Sequence, residues 1–189
     1  MSATGYLIPL AYVLASALTM LVAVAAGFNL AQIGAIAGPV DSESWRFLTA
    51  SFAYDNVGYL FIVAVALALF GVGIERRLGR FATFVLLFGC GALGAFGGYS
   101  IEIALDSGGP LIASGNAVAL GAVMSWLMLR RAEVKGAVEQ DYDLIGVGVA
   151  AAVLLALPLV ETSADVFAGL CGGLVGLVAG SIAAKLRPD

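Results

Sequence analysis

Six long stretches of this chain contain no aspartate, glutamate, lysine or arginine: 1–40, 57–74, 81–101, 107–129, 144–160 and 166–184. A helix rises 1.5 Å per residue, so about 17–25 apolar residues cross a hydrocarbon core that is about 30 Å thick. The composition agrees, because 61% of the residues are hydrophobic and 12% are charged. Soluble domains are about 45–50% apolar and about 25% charged. The sequence therefore predicts an all-α polytopic membrane protein with six transmembrane helices.

The predicted helices, numbered 1 to 6 in chain order, form one membrane domain over residues 1–189. The first stretch is too long, and lacks the basic start, for a cleavable signal peptide. A long first loop is expected at residues 29–56. The six helices are expected at about 5–28, 57–75, 81–103, 110–130, 143–160 and 164–185.

The basic residues predict the orientation. If the helices alternate in direction, eight of the nine basic residues share one side, and only Arg46 lies on the other. The positive-inside rule then places both termini in the cytoplasm. The opposite side is acidic, and the chain is rich in Arg, Ala, Gly and Val, which favours a prokaryotic cell membrane. The eight residues are Arg76, Arg77, Arg80, Arg130, Arg131, Lys135, Lys185 and Arg187.

The first loop is unusually long, and loops of this length are commonly functional or disordered. Its aromatic residues Trp45, Phe47, Phe52 and Tyr54 suit the headgroup level of a membrane. This aromatic content favours an ordered loop that dips into the interface. A flexible loop outside the membrane is the alternative.

Glycines recur along predicted helix 6, with Gly169 and Gly173, and also Gly176 and Gly180, spaced four residues apart. Small residues at this spacing line one helix face and allow close helix packing in lipid. An internal partner helix is favoured. Homodimerisation through the same face is the alternative, and the oligomeric state stays open.

Several function classes lack support. The sequence has no metal-binding cluster, phosphate loop or nucleotide motif, so no cofactor is expected. It has no basic patch of the kind that binds nucleic acid. The charge-free stretches also argue against ion-coupled transport, which places ionisable residues within spanning helices.

Three short motifs occur in order along the chain: "SWRFLTASFAY" at 44–54, "LFGVGIERRLGR" at 69–80 and "IASGNAVALGA" at 112–122. Together with the glycine-rich sixth helix, these motifs resemble the rhomboid intramembrane serine proteases. The resemblance covers about residues 44–184. It implies a rhomboid-like six-helix bundle with a serine active site at the start of helix 4.

The family's functional residues transfer only in part. The resemblance places Ser114 at the nucleophile, although Ile112 replaces the first glycine of the family motif. Val166 stands at the position of the histidine base. Tyr59 and Val63 stand at the oxyanion histidine and asparagine of helix 2. The chain contains no histidine at all.

Ser114 therefore lacks its usual activation. A serine hydroxyl is a poor nucleophile without a base, and general-base assistance is worth about 10²–10⁴-fold. A lysine cannot substitute, because Lys135 and Lys185 lie at the other ends of the helices, and Arg130 is already about 24 Å from Ser114. A packing role for Ser114 is favoured over catalysis. Asn116 is expected to bond to a neighbouring helix or to face a residual cavity.

The resemblance implies a rhomboid-like pseudoprotease that binds transmembrane segments of client proteins without cleaving them. One alternative is an active intramembrane serine protease that uses Ser114 with a base other than histidine. Another is a membrane scaffold without clients. The lipid bilayer is the one partner that the composition itself predicts.

Overall fold

The computed structural model describes residues 5–40, 43–106, 111–133 and 137–186. Its helices confirm the all-α class. We name the long helices α1 to α6, so that they correspond to predicted helices 1 to 6. Their bounds are Leu7–Ala26 (α1), Val57–Leu78 (α2), Arg80–Ala104 (α3), Gly115–Glu133 (α4), Ala137–Ala156 (α5) and Val166–Leu186 (α6).

Within the described residues, α1, α2, α3 and α6 are long and apolar enough to cross a membrane. The apolar part of the fifth helical region, Asp143–Leu159, is shorter. Helix α4 is the centre of the bundle and is buried along most of its length. It packs against α2, α3, α5 and α6, so other helices cover much of its surface.

Helices α4 and α6 pack closely because glycines remove the side chains between them. A Cβ atom on Gly172, Gly176 or Gly180 would lie closer than 3.0 Å to α4 backbone atoms of Ala117, Gly121 or Ser125. The Ser125 hydroxyl donates a hydrogen bond of 2.8 Å to the Gly176 carbonyl. The sixth helix therefore has an internal partner. Gly169 and Gly173 face Asn116 and Leu120 of α4.

Helix α2 runs to Leu78, three residues beyond its expected end, because its charged residues are paired within the protein. The buried Glu75 carboxylate accepts a hydrogen bond of 2.8 Å from the Ile8 amide at the start of α1. Arg77 binds both carboxylate oxygens of Glu133 at the end of α4, at 2.8–3.0 Å. The helix ends at Gly79, whose φ of 81° suits a glycine.

The first loop contains secondary structure over its described residues. It contains a short helix, Arg46–Thr49, followed by a 3₁₀ turn, Ala50–Phe52. The Arg46 guanidinium donates to the carbonyls of Ala31 and Ala35, the latter at 2.8 Å. The Thr49 hydroxyl donates to the Gly34 carbonyl at 3.0 Å.

A two-residue β bridge was not predicted from the sequence. Strand β1, Ile36–Ala37, pairs antiparallel with strand β2, Leu111–Ile112. Helix α4 consequently begins at Gly115 and not at the expected residue 110, because residues 111 and 112 are extended. The bridge holds the first loop against the segment that leads into α4.

Candidate functional site

Ser114 lies at the turn between β2 and α4. Its amide donates a hydrogen bond of 3.0 Å to the Ala50 carbonyl in the first loop, and its carbonyl accepts one of 3.1 Å from the Ala117 amide. The residue is 0% exposed, and its Oγ atom makes no hydrogen bond with the described residues. The backbone of Ser114 is thus fixed, while its hydroxyl is buried without a base.

Tyr59 contacts the segment around Ser114 directly. Its hydroxyl donates a hydrogen bond of 2.6 Å to the Ala113 carbonyl and accepts one of 3.0 Å from the Asn116 amide. Val63, one turn further along α2, is fully buried. Tyr59 therefore hydrogen-bonds α2 to the chain just before and just after Ser114. Val63 contributes an apolar side chain without a hydrogen-bond donor.

Asn116 bonds across to another part of the bundle, as the sequence predicted. Its amide nitrogen Nδ2 donates a hydrogen bond of 2.7 Å to the Asp165 carbonyl, immediately before α6. With Tyr59, it forms a buried chain of polar contacts from α2 through α4 to the start of α6. This chain holds together the three helices that the resemblance assigns to the active site.

Val166 occupies the first turn of α6 and is 38% exposed. It lines a half-open cavity of about 300 Å³ with Glu102, Ile112 and Asp165 among its other walls. A valine side chain has no acid–base chemistry. The position that the resemblance assigns to the base therefore borders a cavity but supplies no proton acceptor.

Asp165, next in the chain to Val166, carries a carboxyl group at the same cavity. Its Oδ1 accepts a hydrogen bond from the Ala168 amide and so caps α6. Burial, together with the nearby carboxylate of Glu102, raises the pKa of Asp165 from 3.8 to about 6. The carboxyl therefore exchanges its proton nearer to neutral pH than an ordinary aspartate does.

A second acidic group joins the start of α2 to the loop between α5 and α6. The Asn56 side chain caps α2 by accepting from the Tyr59 amide at 2.8 Å, and it donates to the Glu161 carboxylate. Ser163 donates to Glu161 at 2.9 Å. We name Asp55, Asn56, Glu161 and Ser163 the Asp55–Glu161 cluster.

The two carboxyl groups of this cluster titrate differently. Burial raises the pKa of Asp55, and the neighbouring Glu161 raises it further. Burial alone would raise the pKa of Glu161 too, but hydrogen bonds from Asp55, Ser163 and Asn56 lower it below its usual value. The pair therefore favours a state in which Asp55 holds the proton that Glu161 accepts. The sequence analysis missed this cluster, because its members lie more than 100 residues apart.

Tyr54 corrects one expectation. Its side chain is buried within the protein and so cannot contact lipid headgroups, and its ring packs edge-on against Tyr59 with 4.8 Å between ring centroids. Its hydroxyl lies against Gly115, so this glycine makes room for Tyr54. Burial, with Tyr12 and Tyr59 nearby, raises the pKa of Tyr54 well above 10, so its hydroxyl stays protonated. The glycine directly after Ser114 was the one sequence signal for this close contact.

An apolar groove of about 510 Å³ lies between α2 and α5. Its walls include Phe61, Val65 and Leu69 from α2, and Gly146 and Val149 from α5. Phe61 and Val149 are largely exposed within the protein. The walls carry no polar side chain, so the groove suits an apolar occupant at the depth of the hydrocarbon core.

Around Ser114 the structure shows a buried hydroxyl and hydrogen-bonded backbone, and no side chain of the described residues hydrogen-bonds to that hydroxyl. Over the described residues, no group of three or more His, Cys, Asp and Glu side chains is arranged to hold a metal ion.

Comparison with known proteins identifies this fold. The chain matches the family model of the Rhomboid domain over residues 41–186, which is most of its length. No curated protein matches it significantly. The matched region begins in the first loop and ends in α6, and it includes Arg46, Glu75 and Ser114, which lie in the three motifs that carried the resemblance. The chain therefore belongs to the rhomboid family.

Proposed function

We propose that this protein is a membrane pseudoprotease that binds transmembrane segments of client proteins without cleaving them. One observation supports the absence of proteolysis: within the described residues the Ser114 hydroxyl has no hydrogen-bond partner, and the chain contains no histidine. Because general-base assistance is worth about 10²–10⁴-fold, a serine without it retains at most a residual rate.

The oxyanion positions support the same conclusion. Tyr59 directs its hydroxyl to the Ala113 carbonyl, so this donor is already used within the protein. Val63 offers no donor. Losing a single oxyanion donor costs about 10²–10³-fold in rate, which adds to the loss of the base.

The groove between α2 and α5 is the proposed binding site for a client, and a single membrane-spanning helix is the proposed occupant. Its walls are apolar over about two helical turns, from Phe61 to Leu69 on α2. Gly146 faces the groove with nothing within 4 Å of a Cβ at that position, so a partner backbone can approach α5 closely. A helix with small residues on one face fits this shape.

A cleavage assay tests the loss of proteolysis. The purified protein is placed in liposomes with a rhomboid model substrate, and the products are measured beside a Ser114→Ala variant. We expect no product above background from either protein. Cleavage that Ser114→Ala abolishes would overturn the pseudoprotease assignment.

Site-specific photocrosslinking tests the client. A photoreactive residue is placed at Phe61 or Val149, which are 65% and 61% exposed, and in native membranes we expect adducts with single-span proteins. Leu14 of α1 is the matched control, because it is 59% exposed but lies away from the groove. Equal protein adducts from all three positions, or lipid adducts alone from the groove, would argue for a scaffold without clients.

The second candidate is an active protease with an unconventional base. The raised pKa of Asp165, about 6, favours it, because a carboxylate of that pKa is a better base than an ordinary aspartate. This candidate predicts that a fluorophosphonate probe labels Ser114, and that Asp165→Asn abolishes the labelling. Absence of labelling in the folded protein would exclude it.

We also propose that all six helices span the membrane with both termini in the cytoplasm. The positive-inside distribution supports this orientation. Single cysteines introduced at Arg80 and Thr162, in a variant with Cys90 and Cys171 replaced by alanine, test it by labelling with a membrane-impermeant reagent. The external reagent should label position 162 and spare position 80 in intact cells, and the reverse pattern would overturn the orientation.

A further inference from the structure

Two carboxyl groups from different elements meet at the half-open cavity beside Val166. Glu102 lies in the last turn of α3, and Asp165 comes directly before α6. Both residues line the cavity, and their side chains hydrogen-bond to each other. Two carboxyl groups can form such a bond only if one of them is protonated, because an ionised carboxylate has no donor. We name these two residues the Glu102–Asp165 pair.

Asp165 is held in place from several directions. Its Oδ1 atom accepts a hydrogen bond from the Ala168 amide, and its carbonyl accepts one of 2.7 Å from Asn116 Nδ2. A Cβ atom on Gly98 of α3 would lie 2.6 Å from Oδ1, so this glycine makes room for the carboxyl group. A negative charge is also favourable at the start of a helix. Asp165 therefore keeps its position in either charge state, and the half-buried Glu102 is the partner that can move.

The contact between α3 and α6 is closed about two helical turns away from Glu102. A Cβ atom on Gly94 of α3 would lie 2.8 Å from the Ala168 carbonyl oxygen and 3.2 Å from the Cα atom of Gly172. The two backbones are thus in close contact along this part of the interface. A change of charge in the pair therefore acts on the end of the interface that borders the cavity.

The surroundings of Asp165 offer Glu102 and Cys171 as titratable neighbours, from α3 and α6 respectively. Helix α4 presents the uncharged Asn116, and β2 presents apolar walls. Glu161, in the loop before α6, is bonded within the Asp55–Glu161 cluster. Asp165 forms no ion pair with a basic residue in the described part of the chain. The two carboxyl groups of the pair therefore dominate the local charge.

Burial, together with Glu102, raises the pKa of Asp165 to about 6, so its proton is lost as the pH rises from about 5 to about 7. At low pH, Asp165 donates this proton to the Glu102 carboxylate, and the bond joins α3 to the start of α6. At higher pH the two carboxylates repel each other. We propose that the Glu102–Asp165 pair is a proton-dependent switch, which closes the cavity at acidic pH and opens it when both carboxyl groups are charged. The proposal is independent of the client groove between α2 and α5.

Thiol labelling of the purified protein in detergent tests the switch. A single cysteine replaces Ala164, a cavity wall that is 4% exposed, in the variant with Cys90 and Cys171 replaced by alanine. Thr162→Cys, at an exposed wall of the same cavity, is the reference, because its labelling rate follows the ordinary pH dependence of the maleimide reagent. We expect the labelling rate at position 164, divided by that at position 162, to rise several-fold between pH 5 and pH 8. A constant ratio would overturn the proposal.

Two Glu102 variants distinguish the pair from any other cause of a pH-dependent ratio. Glu102→Gln can hydrogen-bond to Asp165 in either charge state without repulsion, so the ratio should stay low at both pH values. Glu102→Ala removes the bond, so the ratio should be high at both. An increase in Glu102→Gln as large as that with Glu102 present would overturn the proposal. A low ratio for Glu102→Ala at pH 5 would overturn it as well, because the cavity would then close without the bond.

Discussion

The two sides of the bundle differ sharply in how closely their helices approach. Between α4 and α6, glycines bring the two backbones into contact, and a side chain at Gly176 would overlap the backbone of Gly121. Between α2 and α5, Gly146 faces open space in a groove of about 510 Å³. Glycine thus allows close backbone contact between α4 and α6, and it leaves open space between α2 and α5. The difference indicates that α4 and α6 are held in close backbone contact, while the side of α2 and α5 leaves a groove open.

The largest expected effect is at the closed interface. Gly176→Leu would force a side chain into the α4 backbone, and overpacking of this kind costs about 3 kcal/mol or more where backbone cannot move aside. We expect the variant to lose cooperative unfolding in detergent. Gly148→Leu is the control, because a Cβ at that position meets nothing within 4 Å. Comparable Tm values for the two variants would contradict a rigid α4–α6 interface.

The Asp55–Glu161 cluster connects the two sides, so breaking it should have the next largest effect. Asn56→Ala removes both the cap of α2 and the hydrogen bond to Glu161. The loss is expected to be about 2 kcal/mol, since a cap and a charge-assisted hydrogen bond each contribute about 1 kcal/mol or more. Photocrosslinking from Phe61 should also increase, because the outer ends of α2 and the α5–α6 loop are released. Asn56→Ser keeps a capping oxygen without adding a carboxylate beside Glu161, so it should lower Tm less.

Asp165 should make stability depend on pH. Its pKa is raised in the folded protein, from 3.8 to about 6, so the folded state binds the proton more tightly than the unfolded state. Stability from this group is therefore present below about pH 4 and is lost as the pH rises to about 6. Allowing for solvent in the half-open cavity, the loss is about 1–2 kcal/mol. Asp165→Asn keeps a capping residue and should flatten the Tm profile between pH 4 and 7. If Tm of Asp165→Asn depends on pH as steeply as Tm of the wild type does, other carboxyl groups cause the pH dependence.

The smallest effect on stability is expected in the groove. Gly146→Leu fills space that no side chain occupies, so Tm should stay within about 2 °C of the wild type. Its effect should appear in binding, as a several-fold loss of client adducts from Phe61. Gly148→Leu, on the same helix but outside the groove lining, should leave the adducts unchanged. Equal adduct yields from both variants would show that the groove does not bind the client.

The sequence predicted those parts of the fold that depend on long, regular patterns. The charge-free stretches overlap the long helices, although α5 begins at Ala137, six residues before its expected start. The three motifs correctly predicted the family. The glycine spacing correctly favoured an internal partner for α6. The start of α4 was wrong by five residues, because a two-residue β bridge carries no periodic signal that a sequence could display.

The contacts around the site were harder to predict, because they join residues far apart in the chain. Tyr54 resembles an interfacial aromatic in the sequence, but its position opposite Gly115 buries it. Asn56 and Glu161 are 105 residues apart, and only the folded bundle brings them together. The sequence predicted that Asn116 bonds to another part of the bundle, since an amide in an apolar helix needs a partner. It did not predict that the acceptor is the Asp165 carbonyl.

The segment that leads into Ser114 has a consequence for how any partner can approach it. Leu111 and Ile112 pair with β1, and the Ala113 amide donates a hydrogen bond of 2.9 Å to the Ser163 carbonyl. An extended polypeptide that sought to align beside this segment as an added strand would first have to displace the first loop or the α5–α6 loop. Both edges of the segment before Ser114 are therefore already hydrogen-bonded within the protein.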